Sequence, residues 1–263
     1  MKKAVLTIAG SDSSGGAGIQ ADLKALSANG VFGMSVLTSI TAQNTCGVSA
    51  VFHLPSSIIE AQLDAIFSDI PVAVVKTGML ATSDIVTTVS QRLARQNLEH
   101  LVVDPVMVAK GGHPLLEQDA ICILKSELIP QASLLTPNIY EAEMLSGMSI
   151  QTLADARKAA KVIYQLGCKH VLIKGGHLQE QPGTDLLYDG RFFRMYKGEF
   201  IQTATTHGTG CTFASALAAH LARGRTIPDA IDTAKQYTTE AIRHGLALGK
   251  GHGPTDHFYF LQS

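Results

Sequence analysis

The sequence predicts an α/β fold in three layers, with a mostly parallel central sheet and helices on both faces. Three observations lead to this prediction. Strand-like and helix-like segments alternate along the chain, and most strand-like segments are apolar throughout, as is typical of parallel strands buried on both faces. With 263 residues, 46% of them hydrophobic, the chain can bury a large core. We see no repeat, low-complexity tract or linker, so we expect a single domain over residues 1–263.

The predicted strands are short runs rich in apolar and β-branched residues. The first covers residues 4–9, and glycine and serine follow it directly. A hairpin is predicted over residues 185–197. The other predicted strands cover residues 35–41, 48–53, 72–76, 101–103, 134–135 and 171–174.

The predicted helices carry apolar residues at spacings of three and four. The first covers residues 17–29 and ends at Gly30, a common stop signal. Another helix is expected to begin near Asn138. The remaining predicted helices cover residues 57–68, 85–96, 120–128, 153–166, 212–222 and 227–248.

Composition and charge exclude several classes of function. Lys and Arg number 21 against 22 Asp and Glu, so no excess charge favours nucleic acid or an acidic membrane. The apolar run near the start ends at residue 10, too early for a signal peptide, and no segment approaches the roughly 20 apolar residues that span a bilayer. We expect a soluble cytoplasmic protein with reduced thiols. Its four cysteines, Cys46, Cys122, Cys168 and Cys211, lack disulfide-like or zinc-ligand spacing.

Polar and glycine-rich clusters follow six of the predicted strands. In parallel sheets, ligands bind beyond the carboxyl ends of the strands, so these clusters are expected to meet in one pocket. Any single cluster is equally well explained as a solvated loop, whereas the six together favour a site. The clusters are Gly10-Ser11-Asp12, Ala42-Gln43-Asn44, Thr77-Gly78-Met79, Asp104-Pro105-Val106-Met107, Thr136-Pro137-Asn138 and Lys174-Gly175-Gly176-His177.

The segment His207-Gly208-Thr209-Gly210-Cys211-Thr212 is predicted to be a glycine-rich turn that opens a helix. Such a turn directs several backbone N–H groups toward one point at the positive end of the helix dipole, where an anion is stabilised. Cys211 in the first helical turn is expected to have a lowered thiol pKa. An anion cradle beside a proton acceptor predicts a phosphoryl-transfer site. The alternative for Cys211 is a small buried side chain that packs a helix start.

A dinucleotide-binding site is a weaker interpretation of the first loop. Residues 16–21 match the GxGxxA pattern, but six polar or glycine residues separate the predicted strand from the first glycine of the pattern. No acidic residue stands about 20 residues further on to hold a ribose. A GxxxxGK[ST] phosphate-binding loop does not occur in the sequence.

Together these segments resemble the hydroxymethylpyrimidine/phosphomethylpyrimidine kinases of the thiamin pathway, a family of the ribokinase-like superfamily. The resemblance extends over nearly the whole chain in order and spacing. A cysteine in the GTGC turn is specific to this branch, because ribokinase relatives usually have aspartate there. The segments that carry it are residues 9–22, Ala42-Gln43-Asn44-Thr45, Lys76-Thr77-Gly78-Met79, Asp104-Pro105-Val106-Met107, residues 136–141, Lys174-Gly175-Gly176-His177, residues 207–212 and Gly251-His252-Gly253-Pro254.

The resemblance implies a ribokinase-like fold, ATP and Mg²⁺ as cofactors, and a catalytic role for the GTGC turn. Cys211 would be the base that takes the proton from the substrate's hydroxymethyl group as this group attacks the γ-phosphorus. The N–H groups of Gly208, Thr209 and Gly210 would stabilise charge on the transferring phosphoryl group.

The nucleotide side of the site is expected to use four further residues. Asn138 and Glu141 lie three apart on the helix expected there and share one face. Glu141 would hold Mg²⁺, with Asp104 sharing the metal, while Asn138 and Lys174 would bind phosphate. The alternatives are that Glu141 only complements the helix dipole and that Lys174 is a solvated surface lysine.

The acceptor side is expected to read a flat nitrogen ring. The amide of Gln43 offers a donor and an acceptor that match an aminopyrimidine, and in the family this glutamine reads the pyrimidine. Met79 and the Gly10 backbone are expected to line the same pocket, and Asp22 is a weaker candidate. Residues 110–113 have the composition of a flap that closes over ATP.

Three function classes remain open on sequence alone. The leading one is a kinase for 4-amino-5-hydroxymethyl-2-methylpyrimidine and its monophosphate, with a pyridoxine or pyridoxal kinase of the same branch as its nearest rival. The second is a thiol hydrolase that uses Cys211 with His207, and the third is a nucleotide sensor without catalysis. The family implies a homodimer, and the expected partners are the small-molecule pyrimidine substrate and ATP.

Overall fold

A nine-stranded sheet forms the centre of the protein. The computed structural model describes residues 2–109, 111–176, 178 and 180–261, and the sheet order within them is β3-β2-β1-β4-β5-β6-β7-β8-β9. The strands are β1 (Ala4–Asp12), β2 (Phe32–Asn44), β3 (Gly47–His53), β4 (Val74–Thr77), β5 (His100–Val103), β6 (Leu134–Leu135), β7 (Val171–Ile173), β8 (Asp185–Tyr188) and β9 (Phe193–Tyr196).

The sheet is parallel in its middle and antiparallel at both edges. Strand β1 pairs in parallel with β2 and with β4, and the parallel run continues through β5, β6 and β7. Strand β3 adds antiparallel to β2 at one edge, while β8 and β9 form the predicted hairpin at the other. The mostly parallel sheet expected from the apolar strands is therefore confirmed.

Helices cover both faces of the sheet, as predicted. One face carries α2 (Ser56–Phe67), α3 (Ser83–Leu93), α4 (Gln118–Ile123), α5 (Ile139–Ser146) and α6 (Leu153–Tyr164). The other face carries α1 (Gly18–Ala28), α7 (Thr209–Ala222) and α8 (Ile227–Arg243).

Alternation along the strands divides the apolar residues between two cores. In β1, Leu6 and Ile8 pack against the five-helix face, and Val5 packs against the three-helix face. All three side chains are fully buried. Burial on both faces explains why the central strands show no polar alternation in the sequence.

Several element boundaries differ from the sequence prediction. Strand β1 continues through the polar residues to Asp12 because Ser11 and Asp12 still pair with β2 after a register shift. Helix α7 begins at Thr209 rather than at residue 212, and α8 ends at Arg243 rather than at residue 248. Strand pairing and helix capping set these ends, and local sequence propensity does not predict such contacts. None of the described helices is both long and apolar enough to cross a membrane.

Candidate active site

A cavity of about 550 Å³ opens at the carboxyl ends of the parallel strands. Each of the six predicted polar clusters contributes at least one residue to its wall, so the clusters do meet in one pocket. The contributing residues include Gly10, Gln43, Met79, Asp104, Asn138 and Lys174. His177, the last residue of the sixth cluster, lies outside the described residues.

The glycine-rich turn opens helix α7 at the floor of this cavity. Gly208 caps the helix with φ +76°, a left-handed conformation that favours glycine. The helical ladder begins with the Thr212 amide, which donates to the Gly208 carbonyl at 2.9 Å. Thr209, Gly210 and Cys211 precede that bond and line the cavity, so the positive end of the helix faces it. This arrangement can stabilise an anion.

Cys211 lines the cavity, but its thiol is not activated in the way the sequence suggested. Burial raises the pKa of Cys211 to about 12, and the charges of Asp22 and Asp104 add to the rise. The charge of Lys76 and a hydrogen bond from the Gly18 backbone lower the pKa of Cys211, but not enough to offset this rise. The expectation of a lowered thiol pKa is therefore wrong for the protein alone, because desolvation and two carboxylates outweigh the helix terminus.

Asp22 does not line the cavity and lies beneath helix α7. Both of its carboxylate oxygens accept a hydrogen bond from Lys76 Nζ, each at 2.9 Å. Neither side chain is exposed to solvent. The prediction that Asp22 binds substrate directly is corrected by this burial. Sequence reasoning missed Lys76, since a lysine inside an apolar strand gives no signal of its partner 54 residues away.

Asp12 and His207 tie the first loop to the turn before α7. Asp12 Oδ2 lies 2.7 Å from His207 Nε2 and also accepts from the Ala17 amide at 2.8 Å. Burial alone would raise the pKa of Asp12, but hydrogen bonds from His207 and Ser14 lower it to about 2. Among the described residues, no hydrogen bond joins His207 to the sulfur of Cys211, so this geometry does not support a Cys–His hydrolase pair.

Asp104, Lys174 and Glu141 form a charged group beside the α7 turn, where a Cβ atom added to Gly210 would lie 3.5 Å from Lys174 Nζ and 3.6 Å from Asp104 Oδ2. Lys174 Nζ lies 2.7 Å from Asp104 Oδ1, and its side chain is 17% exposed. The surface-lysine alternative is therefore wrong. Burial alone would lower the pKa of Lys174, but Asp104 and Glu141 raise it above its ordinary value.

Asn138 and Glu141 cap helix α5 reciprocally. Asn138 Oδ1 accepts from the Glu141 amide at 2.9 Å, and Glu141 Oε2 accepts from the Asn138 amide at 2.7 Å. Both residues also line the cavity. Burial raises the pKa of Glu141 to about 7, with Lys174 opposing the rise and Asp104 adding to it.

The two carboxylates Asp104 and Glu141 are suitable ligands for Mg²⁺. Both offer oxygen donors, and Mg²⁺ is commonly held by one or two carboxylates together with water and phosphate. A nearby cation would also favour the charged form of Glu141, which burial now disfavours. Over the ranges that the structure describes, no group of three or more His, Cys, Asp or Glu side chains has metal-binding geometry.

The opposite end of the cavity is lined by Gly10, Thr41, Gln43 and Met79. A Cβ atom added to Gly10 would lie 2.9 Å from Met79 Sδ, so glycine leaves this wall flat. The Gln43 backbone and the Ser13 hydroxyl exchange two hydrogen bonds, at 2.8 and 2.9 Å. Gln43 Oε1 lies 3.1 Å from Thr41 Oγ1, whose hydroxyl also has the Ser11 carbonyl oxygen as an acceptor at 2.8 Å.

Further cavity residues gave no sequence signal. Asp185 Oδ2 lies 2.6 Å from Lys235 Nζ, and Asp185 Oδ1 accepts from the Gly175 amide at 3.0 Å. Residues 199–203 also line the cavity. In the expected flap, Lys110 lies outside the described residues, and the Ala109 amide donates to the His113 carbonyl at 2.8 Å.

Comparisons with known proteins agree with this arrangement. The family model for phosphomethylpyrimidine kinase matches residues 12–256. The chain is 51% identical over 253 residues to the thiamine biosynthesis bifunctional protein ThiED of Geobacter sulfurreducens, covering 96% of this chain and 52% of that protein. It is 48% identical over 259 residues to the hydroxymethylpyrimidine/phosphomethylpyrimidine kinase of Bacillus subtilis, covering 98% of this chain and 96% of that one.

A solved structure has the same fold over the full length of both chains. The ADP complex of pyridoxal kinase from Bacillus subtilis superposes with a TM-score of 0.93 at 41% identity, covering 100% of each chain. The chain thus spans about half of one curated relative and nearly all of the other. On the match of the family model and these identities, the chain belongs to the phosphomethylpyrimidine kinase family.

Proposed function

We propose that this protein is an ATP-dependent kinase that phosphorylates 4-amino-5-hydroxymethyl-2-methylpyrimidine and then its monophosphate, in thiamin biosynthesis. The observation that carries the proposal is one cavity that holds the N-terminus of α7 and Cys211 together with Asp104, Glu141 and Lys174. Relatives whose names state this activity support it, as does the neighbour that binds ADP. The whole chain, residues 1–263, would act as one kinase domain located in the cytoplasm.

The nucleotide would bind with its terminal phosphates between Lys174 and the amides of Gly208, Thr209 and Gly210. Lys174 is charged and only 17% exposed, and the amides lie at the positive end of a helix, so both groups favour a phosphate. Asn138 would donate its side-chain amide to a phosphate oxygen. Asp104 and Glu141 would hold Mg²⁺, which neutralises charge on the β- and γ-phosphates when bound.

The acceptor would bind between Gln43, Met79 and the flat wall at Gly10. The Gln43 amide offers a donor and an acceptor, which match the ring nitrogen and the amino group of an aminopyrimidine. Met79 would pack against the ring face. Asp22 supports this region from below without touching the substrate.

Phosphoryl transfer would use Cys211 as the base. Because the pKa of Cys211 is about 12, its thiol first loses its own proton to solvent. The hydroxymethyl oxygen then forms a bond to the γ-phosphorus as its proton passes to the Cys211 thiolate. The bond from the γ-phosphorus to the β–γ bridging oxygen breaks, and ADP leaves with that electron pair. The amides of the α7 turn stabilise charge on the transferring group, and the protonated thiol returns its proton to solvent after product release.

Pyridoxal is the second candidate acceptor. The solved structure with a TM-score of 0.93 is a pyridoxal kinase, and B6 vitamers also present a hydroxymethyl group on a flat nitrogen ring. The two acceptors differ in the ring substituents that the Gln43 amide would meet. Since relatives named for the pyrimidine reaction are 48% identical to this chain, against 41% for that pyridoxal kinase, the pyrimidine remains the preferred candidate acceptor.

A homodimer is also proposed, as the family implies. Ile40 and Phe52 are cross-strand neighbours on β2 and β3, at an edge of the sheet. They are 47% and 62% exposed, which is unusual for adjacent large apolar side chains on a monomer's surface.

The decisive test is product analysis with both acceptors. The protein, ATP and Mg²⁺ are incubated with the hydroxymethylpyrimidine or with pyridoxal, and products are separated by ion-exchange chromatography. We expect the pyrimidine monophosphate first and the diphosphate later. Efficient pyridoxal turnover with no pyrimidine phosphate would contradict the proposal, and ATP binding without transfer to either acceptor would indicate a sensor.

The variant Cys211→Ser tests the role of Cys211 as the general base. Removing a general base should lower kcat by at least about 100-fold, while the KM for both substrates stays nearly unchanged. A fall in kcat together with a comparable rise in KM would show instead that the thiol has a packing role.

A further inference from the structure

A buried polar cluster lies directly under the N-terminal end of α7. We call it the Asp22 cluster, and it consists of Asp22, Lys76, Thr7 and Ser215. Asp22 accepts from Lys76 at 2.9 Å, from Thr7 Oγ1 at 2.6 Å and from Ser215 Oγ at 2.7 Å. The three donors come from β4, β1 and α7, and all four residues have no solvent exposure.

Stability alone is a weak explanation for a fully buried ion pair. Replacing such a pair with apolar residues of similar volume is often neutral or stabilising, because desolvation offsets much of the charge attraction. Removing one partner alone is strongly destabilising. A Lys–Asp pair in this position therefore calls for a role besides packing.

Helix geometry brings the Asp22 cluster next to Cys211. Ser215 follows Cys211 by four residues in α7, so both side chains lie on the same face of the helix. On the sheet side, a Cβ atom added to Gly78 would lie 3.0 Å from Lys76 Nζ. Gly78 is followed by Met79, which lines the cavity, so the ammonium group lies just beneath the cavity wall.

The charged groups that face Cys211 come from four segments. Lys76 in β4 attracts a thiolate, whereas Asp22 in α1 and Asp104 after β5 repel it. Lys174 after β7 is a second attracting cation, but it is directly paired with Asp104. The Gly18 backbone donates a hydrogen bond to the sulfur. Among these groups, Lys76 is the strongest influence that favours the thiolate.

We propose that Lys76 is a positioning residue for Cys211: its buried ammonium group, held by Asp22, stabilises the thiolate that accepts the substrate's proton. This inference rests on the proposed role of Cys211 as base. Burial would lower the pKa of Lys76, but Asp22 and then Cys211 raise it above its ordinary value, so the lysine stays charged. Thr7 and Ser215 each donate to a carboxylate oxygen of Asp22, which holds the carboxylate in place beside Lys76.

The thiol itself provides a direct test. The rate of alkylation by iodoacetamide is measured from pH 7 to pH 10 in a background with Cys46→Ser and Cys122→Ser, which removes the exposed thiols. Removing the positive charge of Lys76 should raise the pKa of Cys211 by about one unit or more, which lowers the fraction of thiolate and slows alkylation. A thiolate of higher pKa is more nucleophilic, and this recovers part of the lost rate. We therefore expect Lys76→Met to slow alkylation of Cys211 at least about three-fold at each pH.

Thr7→Val is the matched control. It removes a hydrogen bond to the same carboxylate with almost no change in volume, and it leaves the ammonium group in place. Alkylation in this variant should stay within about two-fold of the unmodified background, because the charge of Lys76 is retained. Equal alkylation rates in Lys76→Met and the background would overturn the proposal.

A second variant covers the case in which Lys76→Met does not fold. Lys76→Met combined with Asp22→Asn removes both charges and leaves no buried ion unpaired. Because Lys76 influences Cys211 more than Asp22 does, alkylation in the double variant should still be slower than in the background. An equal or faster rate in a folded double variant, checked by circular dichroism, also overturns the proposal.

Steady-state kinetics separate this inference from the proposed function. Lys76→Met should lower kcat at least about ten-fold and leave the KM for the acceptor within about three-fold, because the lysine acts on proton transfer. Slower alkylation with unchanged kcat would overturn the positioning role. If the unmodified protein phosphorylates no pyrimidine while Lys76→Met slows alkylation, the proposed function fails but the effect of Lys76 on the thiolate stands.

Discussion

Glu141 illustrates how one side chain serves both a helix and the cavity. Its carboxylate closes the capping box of α5 and at the same time lines the cavity. The nearby Lys174 and the hydrogen bonds from the Asn138 and Met107 backbones do not offset its burial, and the pKa of Glu141 rises to about 7. The ionised form is therefore costly in the folded protein, which is common where a residue serves function more than stability.

Glu141→Gln should stabilise the protein and impair the reaction. Folding raises the pKa of Glu141 from 4.5 to about 7, so its ionisation destabilises the native state. The destabilisation is complete above pH 7 and disappears at pH values well under 4.5. Glutamine keeps the cap acceptor but carries no charge. We expect the free energy of unfolding, measured with urea, to rise by on the order of 2 kcal/mol at pH 8 and by little near pH 4.5.

The control is Asp155→Asn in the capping box of α6. Hydrogen bonds from Thr152 hold the pKa of Asp155 below its usual value, so neutralising this residue should bring no gain in stability. In the same preparations, Glu141→Gln should require more Mg²⁺ for half-maximal turnover. Lower stability of Glu141→Gln at pH 8 would contradict the burial argument.

Residue types were predictable from the sequence, but their electrostatic states were not. Cys211 in a glycine-rich turn was recognisable from local spacing alone. Its raised pKa comes first from burial and then from Asp22 and Asp104, which are distant in the chain and close only in the fold. Lys76 escaped prediction for the same reason, because its partner lies on a helix 54 residues away.

At the scale of elements, helix α7 has a glycine in the left-handed conformation at each end. Gly208 precedes its first turn with φ +76°, and Gly224 follows its last turn with φ +81°. Their surroundings differ. A Cβ atom added to Gly208 would lie 1.8 Å from the Gly16 carbonyl oxygen, whereas one added to Gly224 has no heavy atom of the described chain within 4 Å.

These two glycines provide a matched pair of variants. Gly224→Ala should lower the free energy of unfolding by about 1 kcal/mol through backbone strain alone and leave turnover unchanged. Gly208→Ala adds a clash with the first loop, so it should destabilise more. It should also lower kcat at least about ten-fold because the α7 amides shift from the cavity. Urea unfolding and steady-state kinetics measure both effects, and equal kinetics in the two variants would refute a role for the turn.

The existence of elements was easier to predict than their ends. Apolar runs such as β6, predicted and observed at Leu134–Leu135, are set by burial on both faces. The extension of β1 to Asp12 depends on pairing with β2, and the start of α7 depends on how Gly208 fits against Gly16. Both are tertiary contacts, so local sequence patterns could not locate them.

At the scale of the whole molecule, the parallel sheet explains why a single cavity could be predicted. Strand ends that are far apart in the chain share one edge of the sheet, so six polar clusters from residues 10 to 176 converge there. The residues around Asp185 and Lys235 could not be assigned in the same way. Their pairing joins strand β8 to helix α8, and neither residue belongs to one of the predicted strand-end clusters.

The edge formed by β2 and β3 should mediate the proposed homodimer. Ile40 and Phe52 face solvent side by side there, and burying them against a second copy would remove apolar area from water. Phe52→Ser should therefore shift sedimentation velocity profiles from dimer toward monomer at micromolar concentration. Phe192→Ser, at the opposite end of the sheet and almost equally exposed at 63% against 62%, is the control and should leave the dimer intact. A dimer that persists in Phe52→Ser and dissociates in Phe192→Ser would move the interface to the β8–β9 edge.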